Sequence, residues 1–207
     1  MSTLTGDESL QLPEFEHPPA DPLALAAEWT DAAEARGVRE ARSAVLATAD
    51  AAGRPTSRVV LVKAIGPDGA VITTALSSTK ARAMAENPRA SLTFYWRESL
   101  QQLNIDGRVE RLSDADADLL FAERPRGAQV ASIVSESGRP LGDEAEMIAR
   151  ASALEVSDEA LSRPDSWGAY RIVPERIEFW HGRVNRMHRR LSYRRMPAGW
   201  SAQRLQP

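Results

Sequence analysis

Residues 56–65 read T-S-R-V-V-L-V-K-A-I, the most β-branched stretch of the chain, and Gly66-Pro67-Asp68-Gly69 follows at once. The run reads as a strand and the tetrapeptide as a hairpin turn. The chain returns as a strand at 70–74. Further strand patterns lie at 43–50, 90–96, 101–112, 167–172, 177–181, 191–195 and 200–205. Most neighbouring pairs are joined by a few turn residues, with no helix between them. A doubly wound parallel sheet would need a helix at nearly every connection. Hairpins in this number predict an antiparallel sheet closed into a barrel, with helices packed outside it.

The helices are marked by their ends. Asp21 caps one with Pro22 at its first position, Leu23, Leu25, Ala26, Trp29 and Ala33 make its apolar stripe, and Gly37 ends it. A second is expected at 76–87, with Ser77 or Ser78 near its cap and Pro88 as its stop. Ser113 caps a third that runs to about Glu123, with Asp114 and Asp116 at its positive end. Two more are expected at 127–135 and 143–154. Residues 1–20 carry Pro13, Pro18 and Pro19 and read as an extended arm that lies on a partner or stays mobile. Residues 21–207 then form a single domain.

Composition narrows the chemistry. There is no Cys, which removes disulfides, thiolate nucleophiles and thiolate metal sites. His17, His181 and His188 have no metal-ligand spacing. No G-x-G-x-x-G, P-loop or nucleophile elbow occurs. A net charge of -3 argues against nucleic acid as a partner. No apolar run approaches the roughly 18 residues of a membrane span, and the N-terminus lacks a signal-peptide pattern, so a cytoplasmic location is expected. Of the 26 basic residues only Lys63 and Lys80 are lysines, which singles out two positions for an ammonium rather than a guanidinium.

Three clusters could bind an anion. Along Arg58-Val59-Val60-Leu61-Val62-Lys63, alternation puts Arg58, Val60 and Val62 on one face and Val59, Leu61 and Lys63 on the other. Arg58 and Lys63 bracket about 17 Å of strand, enough to touch opposite ends of an elongated ligand; the plainer reading is two strand-end charges in water. Thr73-Thr74 and Ser77-Ser78-Thr79-Lys80 flank a strand-to-helix turn whose hydroxyls, ammonium and free N–H groups suit a phosphate, beyond what ordinary capping needs. The third is 177–195, I-E-F-W-H-G-R-V-N-R-M-H-R-R-L-S-Y-R-R, with Trp180, Arg186, His188 and Arg190 and no acidic residue after Glu178. It suits a planar anion, or else is a solvated basic hairpin. Gln102, in mid-strand, could hydrogen-bond a heterocycle or face water. Anion grips without a nucleophile or a metal point to a bound organic cofactor.

The chain resembles the pyridoxamine 5'-phosphate oxidase family of FMN-binding split barrels from about residue 21 to 207. The motifs are S-R-V-V-L-V-K, S-x-x-K-A at 77–81, N-P-R-A-S-L at 87–92, G-R-V-E-R-L-S at 107–113, R-P-R at 124–126, I-E-F-W at 177–180 and R-M-H-R-R at 186–190. The resemblance implies a mainly β fold with α: an antiparallel six-stranded split barrel with peripheral helices, a homodimer with FMN at the subunit interface. It assigns the cofactor to Arg58, Val59, Val60, Leu61, Val62, Lys63, Thr73, Thr74, Thr79, Lys80, Gln102, Trp180 and Arg190. It assigns the substrate to Lys63, Arg124, Arg186 and His188, with Arg186 and His188 as the catalytic pair. Both lysines fall on these positions.

The departures bear on substrate. Leu120 and Ala128 stand where pyridoxal-phosphate-forming members carry a Tyr and a Ser, Thr79 where they carry an Arg, and Ser137-Gly138 where they carry Gln-Ser. F-Y-W-R-E-S-L-Q-Q-L at 94–103 and G-V-R-E at 37–40 resemble instead the phenazine-biosynthesis branch, whose members oxidise reduced tricyclic carboxylates with O2. Three readings follow: an oxidase of a dihydrophenazine carboxylate, a pyridoxine/pyridoxamine 5'-phosphate oxidase, and a non-catalytic flavin binder.

Overall fold

The computed structural model describes residues 4–207. Eight strands form one antiparallel sheet: β1 (Ser43–Ala49), β2 (Pro55–Gly66), β3 (Gly69–Ala75), β4 (Arg89–Trp96), β5 (Gln101–Arg111), β6 (Trp167–His181), β7 (Arg189–Met196) and β8 (Gly199–Leu205). The order is β3-β2-β1-β4-β5-β6-β7-β8, and β3 also pairs with β6. That last pairing closes six strands into a barrel and leaves β7 and β8 as an extension, so the expected six-stranded barrel is present. Its wall buries Leu46, Ile72, Leu92, Phe94, Leu103, Ile105, Ile172, Ile177 and Phe179.

β6 differs from the two strands expected at 167–172 and 177–181. It is continuous through Pro174, with a register shift opposite Asp106 and Gly107 on β5. Buried core side chains change from even positions (Tyr170, Ile172) to odd ones (Ile177, Phe179) across it. One extra residue reverses the alternation, which is why the pattern reads as two segments. Gly107 makes the kink possible: a Cβ there would lie 2.0 Å from the Val173 carbonyl oxygen.

Helix α1 (Pro22–Ala35) seals the barrel. The Asp21 carboxylate accepts from the Leu23 and Ala24 N–H groups at 2.9 and 3.2 Å, and every residue of the expected stripe is buried. Trp29 meets Phe179 edge-on at 4.9 Å. Helix α2 (Thr79–Glu86) starts later than the sequence suggests: residues 76–78 form a turn, and Ser78 is the cap. Helices α3 (Asp114–Ala122), α4 (Arg126–Val134) and α5 (Glu144–Glu155) are peripheral; α3 covers β6 through a second apolar cluster of Ala117, Phe121, Trp167 and Ala169.

The N-terminal segment, expected to lie on a partner or stay mobile, docks on its own chain. Leu12 and Phe15 belong to the core, and buried Glu14 accepts the Trp29 indole N–H at 2.6 Å. Arg189 lies over the Phe15 ring at 4.4 Å and donates to the Glu16 carboxylate and the Leu12 carbonyl.

Candidate functional site

One barrel mouth holds the first group. Leu46, Thr48, Thr74 and Arg58 share the inner face there, because Leu46 pairs with Arg58 and Thr48 with Thr56 in the β1–β2 register. Arg58 donates to the Leu46 carbonyl at 3.0 Å, to Thr48 Oγ1 at 2.9 Å and to Thr56 Oγ1 at 2.6 Å. Lys80, in the first turn of α2, donates to Thr74 Oγ1 at 3.1 Å, and that hydroxyl lies 3.2 Å from Ser78 Oγ. Among the described residues no carboxylate pairs with either cation. Burial lowers the pKa of both, and the Arg58 charge lowers that of Lys80 further. Two partly desolvated like charges beside a helix N-terminus, surrounded by hydroxyls, make a setting that favours an anion.

Other residues of the cofactor set lie around this mouth or away from it. Val60 and Val62 face inward with Arg58, whereas Val59 and Leu61 are 65% and 54% exposed on the outer face. Thr73 sits on the side of β3 opposite Thr74, and Thr79 lines a cavity of about 380 Å³ with Thr56, Arg54 and Arg82. Lys63 stands at a bulge between Val62 and Ala64. Sequence reading missed Thr48 and Thr56, which the hairpin register of β1 and β2 would have found; Ser78 was among the hydroxyls it had placed at this turn.

The second group is a single rung of the outer face. Gln102 on β5 pairs with Trp180 on β6, which pairs with Arg190 on β7. The next rung is Asn104, Glu178 and Ser192, and the one beyond is Asp106, Arg176 and Arg194. Asn104 Oδ1 is buried without a partner among the described residues. Arg190 donates from Nε to Glu178 Oε1 at 2.7 Å, a bond that raises its pKa. The basic hairpin is thus partly neutralised, by Glu178 and, at Arg189, by Glu16 of the N-terminal segment.

The loop between β6 and β7 carries Arg186 and His188. Arg186 has φ +67°, a left-handed conformation that costs a non-glycine residue of the order of 1 kcal/mol and is common where a loop is shaped for function. The loop is tied down by the Val184 N–H, which donates to the Glu8 carboxylate at 2.8 Å. His188 Nδ1 accepts from the Arg183 N–H at 3.1 Å, which leaves Nε2 to carry the proton. Partial burial, then the Arg186 charge, lowers the His188 pKa, which favours the neutral ring. It lies 4.8 Å from the Trp180 ring.

Arg124 stands apart, between α3 and α4. Its guanidinium lies 5.0 Å from the Trp167 ring and 5.8 Å from the Phe121 ring and donates to Ser132 Oγ at 2.6 Å. Burial lowers its pKa, and no carboxylate among the described residues pairs with it. Leu120 packs against the same apolar cluster. Arg126 of the R-P-R motif is structural instead. It donates to the carbonyls of Leu154, Glu155, Ser157 and Glu159 and so holds the end of α5.

The geometry combines a closed six-stranded barrel, two cations at its mouth with no carboxylate partner among the described residues, and a Gln102–Trp180–Arg190 rung on its wall. The pyridoxamine 5'-phosphate oxidase profile matches residues 30–181, and the profile of the pyridoxine 5'-phosphate oxidase C-terminal dimerisation region matches 167–207. The chain is 38% identical over 205 residues to dihydrophenazinedicarboxylate synthase of Pseudomonas chlororaphis, covering 99% of this chain and 92% of that one. It is 41% identical over 189 residues to pyridoxine/pyridoxamine 5'-phosphate oxidase of Rubrobacter xylanophilus, covering 90% and 87%. The crystal structure of PhzG from Burkholderia lata 383 in complex with tetrahydrophenazine-1-carboxylic acid superposes with a TM-score of 0.94 at 35% identity, covering 98% and 100%. The chain belongs to the pyridoxamine 5'-phosphate oxidase family and is an oxidoreductase; membership implies a flavin cofactor and a dimerising C-terminal region.

Proposed function

We propose that the protein is an FMN-dependent oxidase that converts a reduced, dihydrophenazine-type carboxylate to a more aromatic product, with O2 as oxidant. The observation that carries the substrate class is the setting of Arg124. Its guanidinium rests on two aromatic rings beside Leu120 and donates to the Ser132 hydroxyl. That suits a carboxylate on a flat apolar ring, which needs one bidentate cation and a large apolar surface. A phosphate monoester would find apolar side chains at Leu120 and Ala128, where the phosphate-binding members carry hydroxyl donors. The phenazine carboxylate bound by the Burkholderia lata relative is a ligand of that chemistry.

The residues fit FMN in two halves. Arg58, Lys80, Thr74 and Ser78 would hold the phosphate, as two cations without a carboxylate partner among the described residues and hydroxyls at a helix start. Gln102, Trp180 and Arg190 would meet the ring, and one rung away the buried Asn104 oxygen has no donor among the described residues. The halves belong to different surfaces of one chain: an inner barrel mouth and an outer wall. A second copy, covering the exposed apolar side chains of Val45, Val59, Leu61 and Tyr95 on β1, β2 and β4, would bring one half from each subunit to a shared ligand.

The chemistry supplied by such a group, when bound, is two-electron oxidation, in which the substrate loses a hydride and a proton and O2 leaves as hydrogen peroxide. The chain's own residues bind and orient. Arg124 and Arg186 would take the substrate carboxylate, and Lys63 would add charge near it. His188, neutral with its proton on Nε2, would align the substrate ring and pass a proton to water.

The 41% identity to a pyridoxine/pyridoxamine 5'-phosphate oxidase favours a second reading, oxidation of a pyridoxine phosphate. Steady-state turnover of the FMN-loaded protein on reduced phenazine carboxylates and on pyridoxine phosphate separates the two. Oxidation of the phenazine with little pyridoxal phosphate formed is expected; the reverse ranking would reject the first reading.

A further inference from the structure

We infer that Glu178 is a positioning residue: it aims Arg190 and cancels its charge beside the ring-binding rung. This rests on the reading of Gln102, Trp180 and Arg190 as that rung. Glu178 lies on the outer face of β6, where the neighbouring side chains are polar or open, and yet it is only 4% exposed. A carboxylate is buried at such cost only when it is paired. Here two guanidiniums cover it. Arg190 donates to Oε1 from Nε at 2.7 Å, and Arg176 donates to Oε2. Arg176 is itself held by the Asp106 carboxylate and by Ser192 Oγ, each at 3.4 Å.

The consequence is geometric. An arginine on a sheet face samples many rotamers, and fixing it costs entropy that a surface ion pair hardly repays. Arg190 is fixed at two edges instead: Nε by Glu178 and Nη1 by the Gln206 carbonyl at 3.3 Å. Nη2 has no partner among the described residues. The guanidinium is therefore oriented before any ligand arrives, with one donor edge left for it. The charge is also set. With Glu178 ionised, the Arg190–Glu178 pair adds close to no net charge beside the ring, and Arg176 is balanced by Asp106.

The test uses the full-length protein loaded with FMN. The FMN dissociation constant is read by fluorescence quenching and the midpoint potential of the bound flavin by redox titration, in wild type, Glu178→Gln and Glu178→Asp. Glu178→Gln removes the charge and weakens the Nε contact, so FMN binding should fall about tenfold or more and the potential should move positive. Glu178→Asp keeps the charge at shorter reach, so binding should weaken while the potential stays near wild type. In an Arg190→Met background Glu178→Gln should add no further loss of binding. Wild-type binding and potential in Glu178→Gln, or the same shift of potential in both variants, would overturn the inference. Should Glu178→Gln not fold, Glu178→Asp decides alone: a wild-type dissociation constant, or a shifted potential, rejects it. A wild-type protein that binds no FMN would reject the underlying reading instead.

Discussion

Replacing Lys80 with Met should leave the stability of the apoprotein nearly unchanged and weaken its affinity for FMN. Lys80 has a hydroxyl partner, Thr74, no carboxylate partner among the described residues, and the charge of Arg58 close enough to lower its pKa. Burial lowers it in the same direction. Met has similar length, keeps the apolar stem and removes both penalties, at the cost of one hydrogen bond to a hydroxyl worth roughly 1 kcal/mol. The net effect on folding should lie within about 1 kcal/mol of zero, and on the stabilising side if repulsion exceeds the lost bond. Binding tells the other half. A charge-assisted hydrogen bond to a phosphate contributes about 1.5–3 kcal/mol. At about 1.4 kcal/mol per decade, its loss should raise the FMN dissociation constant roughly 10- to 100-fold. Urea denaturation of the apoprotein and fluorescence titration with FMN measure the two terms separately. A dissociation constant within twofold of wild type, or an apoprotein destabilised by more than about 2 kcal/mol, would refute the placement of a phosphate at this mouth.

Three further outcomes follow. His181 is fully buried, and neither ring nitrogen makes a hydrogen bond of good geometry among the described residues; burial depresses its pKa, a looser contact with the Asp7 backbone opposes this, and the charges of Arg189 and Arg183 add to the depression. The unfolded chain therefore takes the proton first: stability from this residue is intact above about pH 6.5, falls as pH drops below it, and in His181→Phe the urea midpoint should fall less over that range. Gly107→Ala would drive a Cβ into the Val173 carbonyl, so several kcal/mol of stability should be lost and thermal unfolding should show it. Leu120→Tyr together with Ala128→Ser should raise kcat/KM for pyridoxine phosphate about tenfold or more under the phenazine reading; no change would favour a native pyridoxine phosphate oxidase.

The barrel was legible in the sequence because β-branched runs alternate with turn residues, and each hairpin writes its own register. The fifteen residues of β6 were not, since one bulge between Pro174 and Arg176, opposite Gly107 and Asp106, reverses the alternation that marks a strand. The docking of the N-terminal segment was also hidden. Leu12 and Phe15 are isolated among polar and proline residues, and their burial depends on a groove made by α1 and β7, elements far along the chain. At the site, Lys80 stood out because lysine is so rare here, whereas its companions Thr48 and Thr56 look like any strand threonines until pairing puts them beside Arg58. Glu178 was visible in the I-E-F-W motif, but its work depends on Arg190, twelve residues on, and on Arg176 lying alongside.

The central claim is that two copies of the chain jointly hold FMN, one giving the cationic barrel mouth and the other the aromatic rung. Sedimentation velocity monitored at both the protein and the flavin absorbance tests it most directly. The account predicts a single dimer-sized boundary carrying one FMN per chain, with Arg58→Ala and Trp180→Ala each losing flavin from the dimer. A monomeric boundary that holds stoichiometric FMN, or a dimer that binds none, would contradict it.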